Sequence, residues 1–134
     1  MIVLDASAAL EFLLNTPLGE RVGDRLSRPG ETLHAPHLLD VEVLHVVRRL
    51  GAAGTLGERQ ASRVLGDLSD LPLVRYSHQD LVGRAWTLRA TLTAYDAMYV
   101  SLAEALEATV VTCDLRLGRA HGHRAEVEVV ELAG

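Results

Sequence analysis

The chain has 134 residues, 49% of them hydrophobic and 23% charged, a balance that specifies one globular domain over residues 1–134 and excludes disordered, repetitive or low-complexity architectures. No apolar run is long enough to span a bilayer, Asp5 interrupts the first apolar run where a secretory signal needs continuity, and the single cysteine, Cys113, rules out an intramolecular disulfide, so a cytoplasmic protein is expected. A formal net charge of −5 excludes a nucleic-acid coat held by electrostatics alone, and the basic residues apart from histidine are all arginine, with no lysine.

In chain order, Ile2-Val3-Leu4 reads as a buried strand ending on Asp5, with Ser7 placed to cap a helix over roughly Ala8 to Asn15 that Pro17 stops. Leu18, Val22 and Leu26 repeat at helical spacing up to the Pro29-Gly30 break, and Thr32-Leu33-His34-Ala35 forms a short strand ending at Pro36. From His37 to Leu50 the pattern is helical, with Glu42 inside an otherwise apolar run and Gly51 and Gly54 ending it. Gly57 opens another helical segment with Ala61, Val64, Leu65 and Leu68 inward.

Leu73-Val74-Arg75-Tyr76 is the third strand. Ser77 and Asp80 resemble a capping pair for a helix carrying Leu81, Ala85, Trp86 and Leu88. Thr93 caps a helix with Asp96 in its first turn and a body running to about Leu106. Thr109-Val110-Val111-Thr112 is a strand that delivers Cys113 and Asp114, a short helix with Leu115 and Leu117 follows, and Val127-Glu128-Val129-Val130 closes the chain. Strands alternating with helices specify an α/β protein with a parallel sheet and right-handed crossovers.

In such a sheet, ligands sit beyond the carboxyl ends of the strands where strand order reverses, so Asp5 and Asp114 emerge together if their strands are neighbours. Asp96 at a helix start and Glu42 one turn into another helix project over the same rim. Each acid alone has an ordinary explanation: Asp5, Asp96 and Asp114 as helix-start or capping residues, Glu42 as the partner of an arginine. Together they repel one another and require a cation or raised pKa values. Hard oxygen donors without a clustered Cys or His set suit Mg²⁺ or Mn²⁺, ions that activate water and stabilise in-line attack on a phosphodiester.

The blocks Ile2-Val3-Leu4-Asp5-Ala6-Ser7, Leu38-Leu39-Asp40-Val41-Glu42-Val43-Leu44, Tyr95-Asp96-Ala97-Met98-Tyr99-Val100-Ser101-Leu102-Ala103 and Val110-Val111-Thr112-Cys113-Asp114-Leu115-Arg116-Leu117 resemble, in order and spacing, those of PIN-domain endoribonucleases of the VapC toxin type. The resemblance implies a PIN-like five-stranded parallel sheet flanked by helices on both faces, and a homodimer. It implies Mg²⁺ or Mn²⁺ held by Asp5, Glu42, Asp96 and Asp114, with Ser7 and Thr112 near the metal. It also implies hydrolysis of RNA to a 5′-phosphate and a 3′-hydroxyl, as the toxin of a toxin–antitoxin pair. A small VapB-type antitoxin is then expected to block the acidic cleft, often with an inserted arginine. Two positions depart from the family pattern: His45, where Asn is frequent, and Arg116, where some members carry a further acid.

Arg116 and Arg119, a few residues beyond Asp114, are the foremost RNA-backbone candidates among the arginines. With aromatic residues at 4% a base-stacking platform is not expected, which favours structured RNA read by backbone and shape. The spacing of His34, His37, His121 and His123 matches no zinc pattern, and Trp86, Met98, Tyr99 and Leu102 are assigned to core or dimer contact. Receiver domains and aspartyl-phosphate phosphatases need a lysine beside their acids, and serine hydrolases need a Gly-x-Ser-x-Gly turn; the chain has neither. The alternative to a nuclease is a catalytically inactive PIN-fold module that binds RNA or protein.

Overall fold

Ile2, Val3 and Leu4 form β1 (Ile2–Leu4), and none of the three exposes any surface to solvent. Successive strand side chains point to opposite faces, so a strand buried at every position is covered on both sides. Four further strands complete the sheet: β2 (Leu33–Pro36), β3 (Leu73–Tyr76), β4 (Thr109–Thr112) and β5 (Glu126–Val129). In the computed structural model, which describes residues 1–133, they form one five-stranded parallel sheet in the order β3-β2-β1-β4-β5, with helices on both faces. Ile2 stands beside Leu33 on one side and Thr109 on the other, and Leu4 beside Val111. Each fully buried aliphatic side chain here, such as Ile2, Leu4, Val110 or Val111, stabilises the fold by about 1.5–3 kcal/mol.

The chain runs from β1 out to β3 and then returns to lay β4 on the other side of β1. Strand order therefore reverses between β1 and β4, where the sequence places Asp5 and Asp114 just past the strand ends. The edge strands β3 and β5 are part-exposed and charged: Arg75 Nε bonds Asp40 at 2.6 Å, and Glu128 receives Arg25 Nε at 2.5 Å. Charge along an edge discourages pairing with another chain.

Among the described residues seven α-helices connect the strands: α1 (Ala6–Leu13), α2 (Pro17–Leu26), α3 (Leu38–Ala52), α4 (Glu58–Asp70), α5 (Val82–Thr87), α6 (Ala94–Leu106) and α7 (Leu115–Arg119). Several departures from the sequence reading have local causes. Asp5, with φ −77° and ψ 152°, holds the N-cap position of α1, so Ser7 lies inside the helix rather than ahead of it. Pro17 starts α2 instead of merely ending α1, since its fixed φ suits the first helical position, and Thr16 caps it by accepting from Gly19 N–H at 2.9 Å. α3 runs through Gly51, and the chain turns at Gly54, whose φ is 77°.

Between β3 and α5 a 3₁₀ turn covers Gln79–Leu81, and Ser77 does not cap α5. Leu81, Ala85 and Leu88 share one face and are buried, whereas Trp86, one residue beyond Ala85 on α5 and so turned about 100° from it, is 65% exposed, with the Arg89 guanidinium 4.2 Å from its ring centroid. Trp86 is therefore not a core residue. Among the described residues no helix is long and apolar enough to cross a membrane.

Candidate active site

The last peptide of β1 is anchored by the Asp5 N–H, which donates to Val111 O at 3.0 Å and fixes the Asp5 carboxylate beside the end of β4. That carboxylate caps nothing. Its Oδ2 accepts instead from Ser7 Oγ at 2.7 Å and from Thr112 Oγ1 at 2.6 Å. Each hydroxyl in turn accepts one backbone N–H: Ser7 Oγ from Cys113 and Thr112 Oγ1 from Asp114, both at 3.0 Å. A hydroxyl carries one proton, so with both protons given to Asp5 the 3.1 Å approach of Ser7 Oγ to Thr112 Oγ1 carries none. Both bonds fall on Oδ2, leaving the lone pairs of Oδ1 for another partner.

Glu42 lies one turn into α3 and pairs with no arginine; its Oε1 accepts from the Tyr99 hydroxyl at 2.5 Å. Desolvation raises the pKa of Glu42 and the Tyr99 bond opposes that shift, while the charges of Asp5 and Asp96 add to it. Asp96 sits in the first turn of α6, where the cap is Thr93 Oγ1, which accepts the Asp96 N–H at 3.1 Å. The Asp96 side chain is free of that duty. Its pKa is also raised, by desolvation first and then by Asp5 and Asp114, with Thr93 and Arg116 pulling the other way.

Asp114 is the exception, because it does cap α7 by accepting from Arg116 N–H at 2.9 Å. The Arg116 guanidinium, 89% exposed, lies 3.4 Å from its other oxygen. Arg119 is exposed on the same helix. Elsewhere on the surface, Arg84 is held by Glu104 and Arg89 lies over the Trp86 ring. His34 is a buried strand residue bridging Thr32 and Tyr76.

The four acids thus belong to one rim and sense one another's charge: Glu42 that of Asp5 and Asp96, Asp96 that of Asp5 and Asp114. They do not close into a ligand shell, for among the described residues no three Asp, Glu, His or Cys side chains converge on one ion position. The donor chemistry still fits a hard divalent ion, since Asp5 Oδ1 keeps its lone pairs free and the Glu42 and Asp96 carboxylates beside it are partly desolvated oxygen donors. Tyr99, which the sequence reading assigned to the core or a dimer contact, is fully buried and also reaches the site. Its signal was its position three residues after Asp96, on the same helical face.

A carboxylate rim at the switch point of a parallel α/β sheet is the arrangement of a PIN domain, and the PIN-domain family profile matches residues 2–122, which include all four acids. The chain is 44% identical over 130 residues to Ribonuclease VapC12 of Mycobacterium tuberculosis, covering 97% of this chain and 99% of that protein. It is 42% identical to VapC ribonuclease Mb0985 of Mycobacterium bovis, over 97% of this chain and 98% of the relative. Among solved structures, PAE2754 from Pyrobaculum aerophilum shares the fold with a TM-score of 0.69 at 24% identity, over 96% of this chain and 83% of that one. VapBC2 from Rickettsia felis, bound to a promoter DNA fragment, shares it with a TM-score of 0.72 at 15% identity, over 98% and 100%. The chain therefore belongs to the VapC family of PIN-domain ribonucleases.

Proposed function

We propose that this chain is a Mg²⁺- or Mn²⁺-dependent endoribonuclease and the toxin of a toxin–antitoxin pair, with Asp5, Glu42, Asp96 and Asp114 as the metal-holding and catalytic set. The observation that supports this reading is the placement of the acids: Asp5 and Asp114 follow the adjacent strands β1 and β4 where strand order reverses, Asp5 accepts both of its hydrogen bonds on Oδ2, and Glu42 on α3 and Asp96 at the start of α6 feel the charge of the acids beside them. Asp5, Glu42, Asp96 and Asp114 would hold the divalent ion, which when bound would supply charge neutralisation and water activation for hydrolysis of an RNA phosphodiester to a 5′-phosphate and a 3′-hydroxyl.

Ser7 and Thr112 orient Asp5 by fixing one of its oxygens. Tyr99 holds Glu42 against α6 and favours its ionised form. Arg116 and Arg119, exposed beside Asp114, attract the flanking phosphates, and Arg116 offsets part of the charge on Asp114. The protein works as a homodimer. Its inhibitor is a small VapB-type antitoxin, a reading supported by the structural likeness to VapBC2 from Rickettsia felis and VapBC from Salmonella typhimurium, and a guanidinium inserted among the acids is the chemistry that suits such a block.

The test is RNA cleavage in Mg²⁺ or Mn²⁺ by the wild type, Asp5→Asn and Asp96→Asn, with circular dichroism to establish folding. Cleavage by the wild type alone, suppressed by stoichiometric antitoxin, is the expected result. A folded wild-type protein that cuts no RNA and binds neither ion is instead an inactive binding module.

A further inference from the structure

Beside the acids lies a cavity of about 560 Å³ whose walls include Ser7 and Leu10 of α1, Leu38, Val41 and Glu42 of α3, and Tyr95 of α6. It is continuous with the acidic rim, because Ser7 and Glu42 belong to both and Tyr95 directly precedes Asp96. Its lining is otherwise mainly apolar, which makes it a poor seat for a phosphate and a good one for a flat, uncharged group. Tyr95 is 60% exposed although it is one of few aromatic residues, and its ring stacks on no other aromatic or cationic group among the described residues. His45 adds a ring with both donor and acceptor capacity to the same wall.

We propose that this cavity receives an unpaired nucleobase of the RNA substrate, next to the phosphate held at the acids, with the base stacked on the Tyr95 ring and its edge within reach of His45. The proposal rests on the ribonuclease reading and adds to it the substrate class: RNA with an accessible, unstacked base at the cut. A strand passing over the acids carries a base on each side of the scissile phosphate, and an apolar pocket one step away lets that base leave water without bringing a second negative charge towards Glu42. Low aromatic content argues against a long stacking platform, yet one exposed ring beside the acids is enough for one base.

The experiment uses the whole chain as wild type, Tyr95→Phe and Tyr95→Ala, and a set of RNA hairpins with 2-aminopurine at successive loop positions, titrated in Ca²⁺. One loop position should show fluorescence quenching with the wild type and with Tyr95→Phe. With Tyr95→Ala the quenching should vanish and binding weaken roughly tenfold, the worth of one base–aromatic stack. An abasic site at that position should bind the wild type and Tyr95→Ala equally. Unchanged quenching and affinity in Tyr95→Ala overturns the proposal. So does a Tyr95→Ala protein that keeps both but is no longer inhibited by antitoxin, since the cavity then belongs to the protein partner. Quenching by a wild type that cleaves nothing in Mg²⁺ or Mn²⁺ keeps the base site and rejects the nuclease reading, whereas cleavage without any quenching rejects the base site alone.

Discussion

The Tyr99 hydroxyl donates to Glu42 Oε1 across 2.5 Å and ties α6 to α3, so two of the elements that carry acids are joined by one hydrogen bond. Of the influences on Glu42, it is the one that favours the ionised form; burial, Asp5 and Asp96 all oppose it. Tyr99→Phe removes that influence without opening space. The Glu42 pKa should rise further, and the acidic limb of the pH–rate profile for RNA cleavage should move to higher pH. Urea unfolding at neutral pH should show a loss of about 1.5–3 kcal/mol, the worth of a hydrogen bond to a charged group. A pH–rate profile identical to that of the wild type would separate Glu42 from the chemistry.

The raised acids also make stability depend on pH and on metal. Glu42 and Asp96 hold protons more tightly in the folded chain than at their ordinary values of 4.5 and 3.8, so without metal the contribution of these two groups to stability is fully present only below those values. That stability is lost as pH climbs through the raised folded values. Asp96→Asn should therefore melt at a higher temperature than the wild type in EDTA at neutral pH, with a shallower pH dependence. Mg²⁺ or Mn²⁺ should reverse the order by stabilising the wild type, by about 2.7 kcal/mol at a hundredfold excess over Kd, and should leave Asp96→Asn little changed. Equal metal-induced shifts in both proteins would remove Asp96 from the ion site.

Much of this arrangement was legible because it is written in adjacent residues. Thr109-Val110-Val111-Thr112 combines branching with apolarity and forms β4 at the expected bounds, and Thr93 caps α6 as its position before Asp96 predicts. What escaped the sequence depends on residues far apart. Nothing near Ser7 tells that its hydroxyl serves Asp5 together with Thr112, which lies 105 positions away, rather than the helix end. Nothing near Glu42 names Tyr99, which is 57 positions distant. Trp86 is excluded from the core by local geometry, since it follows buried Ala85 by one residue on α5 and turns off the face that Leu81, Ala85 and Leu88 share. Tyr95 could be found only once the cavity existed, because no spacing pattern marks an exposed ring that borders a pocket.

At the C-terminal half of α6, Glu104 accepts from Arg84 Nε at 2.7 Å, Arg84 Nη2 at 3.0 Å and the Arg124 N–H at 2.7 Å, joining α5, α6 and the segment before β5. Arg84 above all holds its carboxyl down to about 2, against an ordinary value of 4.5. A depressed acid contributes stability that is complete above the ordinary value and is lost as pH falls towards the folded one. The melting temperature should therefore drop between about pH 4.5 and about pH 2, and Glu104→Gln should flatten that part of the curve while lowering the melting temperature at neutral pH. A parallel acid limb in the variant would assign the loss to other carboxylates.

Gly19 is required by the packing of α2 against α1, because a Cβ there would stand 2.0 Å from the Glu11 carbonyl oxygen and 2.5 Å from its carbonyl carbon. Both are backbone atoms and cannot rotate away. Gly118 is a different case: a Cβ would meet Val129 Cγ2 at 2.3 Å, and that contact is with a side chain. Gly19→Ala should force α2 off α1 and cost about 1–3 kcal/mol or more in urea unfolding. Gly118→Ala should cost less, because a new Val129 rotamer relieves part of the overlap. Since α1 carries Ser7, whose hydroxyl bonds Asp5, one turn before Glu11, a Gly19→Ala protein that folds should also cleave more slowly, and Val129→Ala should restore stability to Gly118→Ala but not to Gly19→Ala. Equal losses in the two glycine variants, or rescue of Gly19→Ala by Val129→Ala, would contradict the distinction between a backbone clash and a side-chain one.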